Sequence, residues 1–233
     1  MWKGKTVSVV LPAYNEEENI RNAINGFFAT KIVDEVLVVD NNSTDRTAQE
    51  VKKTKARLVK ETKQGYGYAN IKGIKEAKCQ IIVTCEPDGT FVANDINKLL
   101  EYTDQFDVVF GTRTSKVSIW SGANMGWFLR TGNALIAKLL EYMYNGPCLT
   151  DVGCTYKLMK RSAIKKIGDK FTVGGSHFSP ELMILVIKNK IKCIEIPVNY
   201  KERIGKSKIT GSFWKAFKLG IIMIGLIIKY KFK

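Results

Sequence analysis

Apolar residues recur along this chain in two rhythms. Val7 to Leu11 is an unbroken, largely β-branched run, the pattern of a strand buried on both faces. From about Glu16 to Phe28, residues Ile20, Ala23, Ile24 and Phe27 return at helical spacing. Glu35 to Val39 is the next apolar run, and Ser43-Thr44-Asp45 reads as a helix N-cap leading to Val51. Arg57 to Lys60 predicts a short strand. Gly65-Tyr-Gly-Tyr-Ala opens a helix to about Ala77. Ile81 to Cys85 is a strand, about Asn94 to Tyr102 a helix, and Val108 to Phe110 a strand. This alternation predicts an α/β fold, a mostly parallel sheet with helices on both faces.

The second half is less regular. Trp127 to Tyr144 predicts a long helix, with Leu129, Ala134, Leu135, Leu139 and Met143 on one broad face. Thr155 to Met159 reads as a strand, Pro180 to Asn189 as a helix, and Lys192 to Val198 as an edge strand near Pro197. No repeat, low-complexity tract or linker interrupts this body. Residues 1–210 are therefore expected to form one domain, divided functionally at about 112 into 1–112 and 113–210. The tail, 211–233, differs. Its apolar run, Leu219 to Ile228, is flanked by aromatics and lysines and is shorter than the ~20 residues a spanning helix needs. An amphipathic segment on a membrane surface is expected. A core helix, or one that docks on a partner, fits the same periodicity.

Charge narrows the partners. Lys and Arg number 37 against 22 Asp and Glu, a formal net charge of +15. Such an excess points to anionic lipid, phosphorylated substrates or nucleic acid. No organised aromatic-basic motif supports nucleic acid, so none is expected. Five cysteines with no CxxC pair and no zinc spacing suit a reduced, cytoplasmic setting. Met-Trp-Lys-Gly-Lys leads straight into a strand, so no secretory signal is expected. The single histidine, His177, weakens any His-based triad or metal site.

Three polar segments directly follow strands: Pro12-Ala-Tyr-Asn-Glu16, Asp40-Asn-Asn-Ser-Thr-Asp45 and Glu86-Pro-Asp88. All three should gather along one sheet edge, where open α/β sheets bind ligands. Glu86 and Asp88, one residue apart at a strand end, are placed to hold one hard divalent cation. That cation, Mg²⁺ or Mn²⁺, would neutralise a phosphate-rich leaving group. A solvated acidic turn would carry the same residues.

With these segments in view, the chain resembles a family 2 glycosyltransferase of GT-A fold. It is most similar to the dolichol-phosphate mannose synthase and polyprenyl-phosphate glycosyltransferase branch. Ser8-Val-Val-Leu-Pro-Ala-Tyr-Asn-Glu16 resembles the family's opening strand and nucleotide loop, and Val38-Val-Asp-Asn-Asn-Ser-Thr-Asp45 its V-D-D-x-S-x-D segment. Lys63 to Gly73 resembles a glycine-rich helix start. Glu86-Pro-Asp88 stands where the family has D-x-D, Gly111-Thr-Arg113 where it has G-S-R, and Arg203-Ile-Gly-Lys-Ser-Lys208 where it has R-x-G-x-S-K. Two positions depart: Glu86 replaces an Asp, and Asn41 replaces the second Asp of V-D-D.

The resemblance implies an inverting, metal-dependent transfer of a sugar from GDP-mannose or a UDP-sugar. Pro12, Ala13, Tyr14, Glu16, Asp40, Lys63 and Gly65 would line the nucleotide pocket, with Asn15 and Glu16 alternatively capping a helix. Glu86 and Asp88 would hold the metal. Arg113, Arg203 and Lys208 would add positive charge against the diphosphate. A polyprenyl phosphate at the cytoplasmic membrane face is the expected acceptor, because its oxygen is already ionised near neutral pH and needs little base. Transfer to a glycan hydroxyl would instead need a base, Glu181 or Asp151. A nucleotide-binding subunit with weak chemistry, docked to a membrane protein through the tail, and a homo-oligomer also fit.

Overall fold

A computed structural model describes residues 1–123, 125–203 and 213–232. Its centre is a seven-stranded sheet of order β3-β2-β1-β4-β6-β5-β7. The strands are β1 (Val7–Ala13), β2 (Glu35–Asp40), β3 (Arg57–Lys60), β4 (Ile81–Thr84), β5 (Val108–Thr112), β6 (Lys157–Lys160) and β7 (Cys193–Pro197). The helices are α1 (Ile20–Ala29), α2 (Thr47–Lys52), α3 (Tyr66–Glu76), α4 (Ile96–Glu101), α5 (Trp127–Tyr144), α6 (Arg161–Ile167), α7 (Phe178–Lys188) and α8 (Phe213–Lys231). This is the GT-A architecture, a mixed, mostly parallel sheet flanked by helices.

Strand side chains alternate between two cores, as a pleated strand requires. Val7, Val9, Leu11 and Ala13 of β1 face one core together with α1 and α4, while Val10 faces the other with α3, α5, α7 and α8. Both faces are apolar, which is why these strands read as unbroken apolar runs rather than alternating ones.

Every strand pair is parallel except those of β6, which runs against β4 and β5. Lys157, the first residue of β6, lies opposite Thr84 and Phe110, near the C-terminal ends of β4 and β5. The chain leaves β5 at that edge, passes through α5, and enters β6 at the same edge, so β6 must run back. Local propensity carries no trace of this direction. Helix α6, directly after β6, was likewise absent from the sequence expectation.

Helix α8 is packed, not free. It runs parallel to α5: Phe128 meets Phe213 with ring centroids 4.5 Å apart near one end, and Tyr144 donates to the Ile227 carbonyl at 2.7 Å near the other. Lys188 of α7 donates to the Tyr230 carbonyl at 2.7 Å. Met223, Ile227 and Tyr230 are buried by these contacts, each aliphatic side chain contributing about 1.5–3 kcal/mol. Among the described residues no helix is long and apolar enough to cross a membrane.

Candidate active site

β1, β2 and β4 end at one edge, and their loops are tied together there. Asn15 adopts φ 55°, a left-handed conformation that asparagine tolerates. Its backbone N–H donates to Ser43 Oγ at 3.1 Å, and its side-chain oxygen accepts the Thr44 N–H at 2.8 Å. The Glu16 N–H donates to Thr47 Oγ1 at 2.8 Å. Asn15 thus stitches two loops together, and Asn19, not Asn15 or Glu16, holds the N-cap position of α1.

Asp88 lies at the floor of this edge and is 1 % exposed. Its Oδ1 accepts the Thr90 backbone N–H at 3.1 Å and the Thr90 hydroxyl at 2.6 Å. Its Oδ2 lies 3.0 Å from Arg203 Nη1, but among the described residues no hydrogen bond of good geometry reaches it. Arg203 Nη2 lies 3.4 Å from Glu16 Oε1, so one guanidinium bridges two carboxylates. Burial, followed by the neighbouring Asp88 charge, pushes the Glu86 carboxyl up to about 8. A site that crowds carboxylates until one resists ionising favours an added cation.

The residues present fit a divalent cation. Asp88 Oδ2, ion-paired with Arg203 but accepting no hydrogen bond among the described residues, and Glu86 supply two carboxylates. No group of three metal-ligating side chains occurs among the described residues. Mg²⁺ commonly takes only one or two carboxylates from a protein, with substrate phosphate and water completing its shell.

Asn41 shapes the adjoining wall. Its amide nitrogen donates to the Glu61 carbonyl at 3.0 Å and the Lys63 carbonyl at 2.8 Å, and its oxygen accepts the Gly65 N–H at 2.8 Å. From there the chain enters α3, whose first turn abuts the 172–174 loop. Gly67 and Tyr68 donate their N–H groups to the Gly174 carbonyl at 2.8 and 3.2 Å. A Cβ on Gly65 or Gly67 would collide with backbone of Val173 or Gly174, so both must be glycine. Glu181 of α7, fully buried, fixes that loop. It accepts the N–H groups of Thr172 at 2.8 Å and Val173 at 3.0 Å, and the Tyr230 hydroxyl at 2.5 Å.

Arg113, at the end of β5, is held by Asp151. Nε donates to Oδ2 at 2.8 Å and Nη2 to Oδ1 at 3.0 Å, and the Arg113 backbone N–H adds 2.9 Å to Oδ2. Burial alone would disfavour both charges, but their mutual attraction outweighs it, holding Asp151 below the usual carboxylate range and Arg113 above its own. Glu195 of β7 accepts the Thr150 and Asp151 N–H groups at 2.6 and 3.1 Å, which sets the Asp151 loop. The Arg113 guanidinium also lies 5.1 Å from the Tyr200 ring centroid.

These walls enclose a cleft of about 570 Å³. Pro12, Ala13, Tyr14, Glu16, Glu86, Asp88, Arg113 and Arg203 all line it. Asp40, Lys63 and Gly65 stand behind the wall: Asp40 accepts the Ser43 N–H at 3.0 Å, and Lys63 Nζ sits 5.8 Å from the Tyr68 ring. Lys208 falls outside the described residues. Glu181 and Asp151, the two bases the sequence offered, are both buried, engaged and absent from the lining. In this arrangement each carboxylate orients its neighbours. Asn41, Tyr66, Asn133, Ser179 and Tyr200 line the cleft without having been singled out as lining residues. Asn41 and Tyr66 lie in segments that the sequence motifs mark, and Asn133 is a polar residue inside an apolar helix, α5. Beyond Asn133 the cleft continues as an apolar trough between α5 and α8, with Leu129 and Ile136 facing Leu219 and Ile224.

The chain belongs to Glycosyl transferase family 2, which it matches over residues 8–168. It is a glycosyltransferase. An uncharacterised glycosyltransferase of Mycobacterium tuberculosis is 31% identical over 224 residues, covering 91% of this chain and 98% of that one. A dolichyl-phosphate hexose transferase of Haloferax volcanii is 29% identical over 207 residues, covering 87% of this chain and 86% of its own. Glucosyl-3-phosphoglycerate synthase from Mycobacterium tuberculosis, solved with Mn²⁺, UDP and phosphoglyceric acid, superposes with a TM-score of 0.75 at 18% identity. That match covers 98% of this chain and 79% of the other.

The structural matches correct the branch expected from the sequence. The fold is shared across nearly the whole chain with an enzyme solved with phosphoglyceric acid and UDP, not with a lipid phosphate. The assignment therefore rests at the family, and polyprenyl phosphate is withdrawn as the acceptor.

Proposed function

We propose that this protein transfers a sugar from a UDP-sugar to an acceptor hydroxyl, whose proton passes to a carboxylate that lines the cleft, with the diphosphate held by a divalent cation on Glu86 and Asp88. The observation that carries this reading is the buried Asp88 Oδ2, 3.0 Å from Arg203 but accepting no hydrogen bond among the described residues, in the wall of a cleft of about 570 Å³. Synthase structures of the same fold hold Mn²⁺ or Mg²⁺ together with UDP, which supports both the cation and the base.

When bound, the cation neutralises negative charge gathering on the departing diphosphate. The chain's own groups do the rest. Pro12, Ala13 and Tyr14 wall the nucleotide side. Arg203, 3.0 Å from Asp88 and 3.4 Å from Glu16, is placed to turn from these carboxylates to diphosphate oxygens. Its planar fork suits two phosphate oxygens at once. Lys208, five residues further along, adds charge to the same segment. Arg113 is held rigid by Asp151, so its charge costs no reorganisation when the transition state forms. Residues 1–210 carry this chemistry, the nucleotide side from 1–112 and the acceptor side from 113–210. The tail keeps the enzyme peripheral at a lipid surface.

The test is UDP release from UDP-glucose with Mn²⁺ and a panel of hydroxyl acceptors, phosphoglyceric acid among them. One acceptor should raise release many-fold, and Asp88→Asn should abolish the increase. Equal turnover by Asp88→Asn in Mn²⁺ would remove the metal-site assignment.

A further inference from the structure

Helix α8 is apolar on two faces, and only one of them is covered by protein. Met223, Ile227 and Tyr230 are buried against the body. At about 100° per residue, Phe213, Trp214, Phe217, Ile221, Ile224 and Ile228 fall within a second arc about 100° wide, and all six are exposed. Trp214 is 74 % exposed. A helix on a protein surface ordinarily turns its polar face outward. Here the outward polar residues are lysines along one border, Lys215, Lys218 and Lys229, with Lys231 at the opposite border. From Lys206 to Lys233 the sequence holds seven lysines and no acidic residue.

Helix α5 extends the surface. Leu135, 66 % exposed, lines the cleft with Ile221 and Ile224, so the mouth of the trough opens beside the ridge. Trp127, 74 % exposed, adjoins Phe128, which packs on Phe213.

We propose that this ridge of α8, with the Leu135 rim of α5, docks on the surface of an anionic lipid bilayer. The aromatic and aliphatic arc sits at headgroup level, and the lysine border contacts lipid phosphates. Charge decides the occupant: a neutral protein partner would cover the apolar arc but leave a one-signed lysine border uncompensated, whereas an anionic membrane answers both. Docking in this way sets the cleft mouth at the lipid surface. The inference rests on the peripheral placement proposed above and names its partner and its face.

Vesicle co-sedimentation of the full chain tests it, without donor or acceptor. Vesicles of phosphatidylcholine alone are compared with vesicles containing about a quarter phosphatidylglycerol. Binding should be strong only to the anionic vesicles and should weaken with salt. Lys215→Gln, Lys218→Gln and Lys229→Gln should each weaken it about fivefold. Trp214→Glu combined with Ile228→Glu should abolish it, with thermal melting and UDP release unchanged as controls on folding and chemistry. Absence of binding, or equal binding to both vesicles, overturns the proposal. So does a dimer in light scattering that Trp214→Glu dissolves, which would give the face to a second copy. Because vesicle binding is read without substrates, its failure leaves the transfer reading standing, and the converse holds.

Discussion

Asn41 Oδ1 accepts the Gly65 N–H at 2.8 Å while the same amide donates to two carbonyls of the preceding loop. The family's aspartate at this position could accept from Gly65 but could not donate to Glu61 or Lys63. Asn41 is thus matched to this loop's backbone.

Asn41→Asp should therefore be costly despite restoring the family's residue. Two part-buried carbonyls would lose their donor and face an anion instead. The expected loss is about 2–4 kcal/mol, from two hydrogen bonds and an unpaired buried charge. Urea unfolding measures it. A variant as stable as the parent would show that the loop repacks freely.

Glu181 separates positioning from base catalysis. Glu181→Gln can keep its oxygen on the Thr172 N–H, but its NH₂ group then faces the Val173 N–H where Oε2 accepts it now. A stability loss of ~1–3 kcal/mol is expected. The 172–174 loop should loosen against Gly67, raising KM for the UDP-sugar several-fold while the pH profile of kcat stays unchanged. Loss of kcat together with its acidic limb would mark Glu181 as a base after all.

The Arg113–Asp151 pair gives a pH signature. Asp151 is held below its ordinary range because the Arg113 charge outweighs desolvation. Its stabilisation is then fully present above the unfolded value of about 3.9 and is lost as pH falls through the folded value. Asp151→Asn should cost about 3–5 kcal/mol at neutral pH, the usual consequence of leaving one buried charge unpaired. The gap between parent and variant should narrow only below about pH 4. A gap that already closes at pH 6 would mean that another group carries the dependence.

What the sequence disclosed and what it hid divide along a physical line. Val7 to Leu11, Glu35 to Val39 and Ile81 to Cys85 were legible as strands because burial on both faces leaves an uninterrupted apolar run. The polar segments after them were legible as one edge because parallel strands end together. The span of α5, Trp127–Tyr144, was legible from its 3.6-residue period, but its buried face was not: Ala137 and Leu140 are buried, whereas Leu135, expected on the apolar face, is exposed. The reversed direction of β6 was not, because direction is set by where the chain re-enters the sheet. Arg113 and Arg203 were legible from their motifs and line the cleft, but Tyr200, which reaches it from a separate element, carries no local pattern that announces it. Asp151 and Glu181 looked attractive as acids, but sequence cannot show that each is already engaged by its neighbours. The polyprenyl acceptor failed for a related reason: motifs around a diphosphate site describe the donor and say little about what receives the sugar.

The most direct test of the central claim is calorimetric binding of UDP to the full chain, with and without Mn²⁺, for the parent and Asp88→Asn. Tight binding that requires Mn²⁺ in the parent, and that falls at least ~100-fold in Asp88→Asn with folding intact, is the result expected if Asp88 holds the cation against the diphosphate. Equal UDP affinity in the two proteins at the same Mn²⁺ concentration would contradict it.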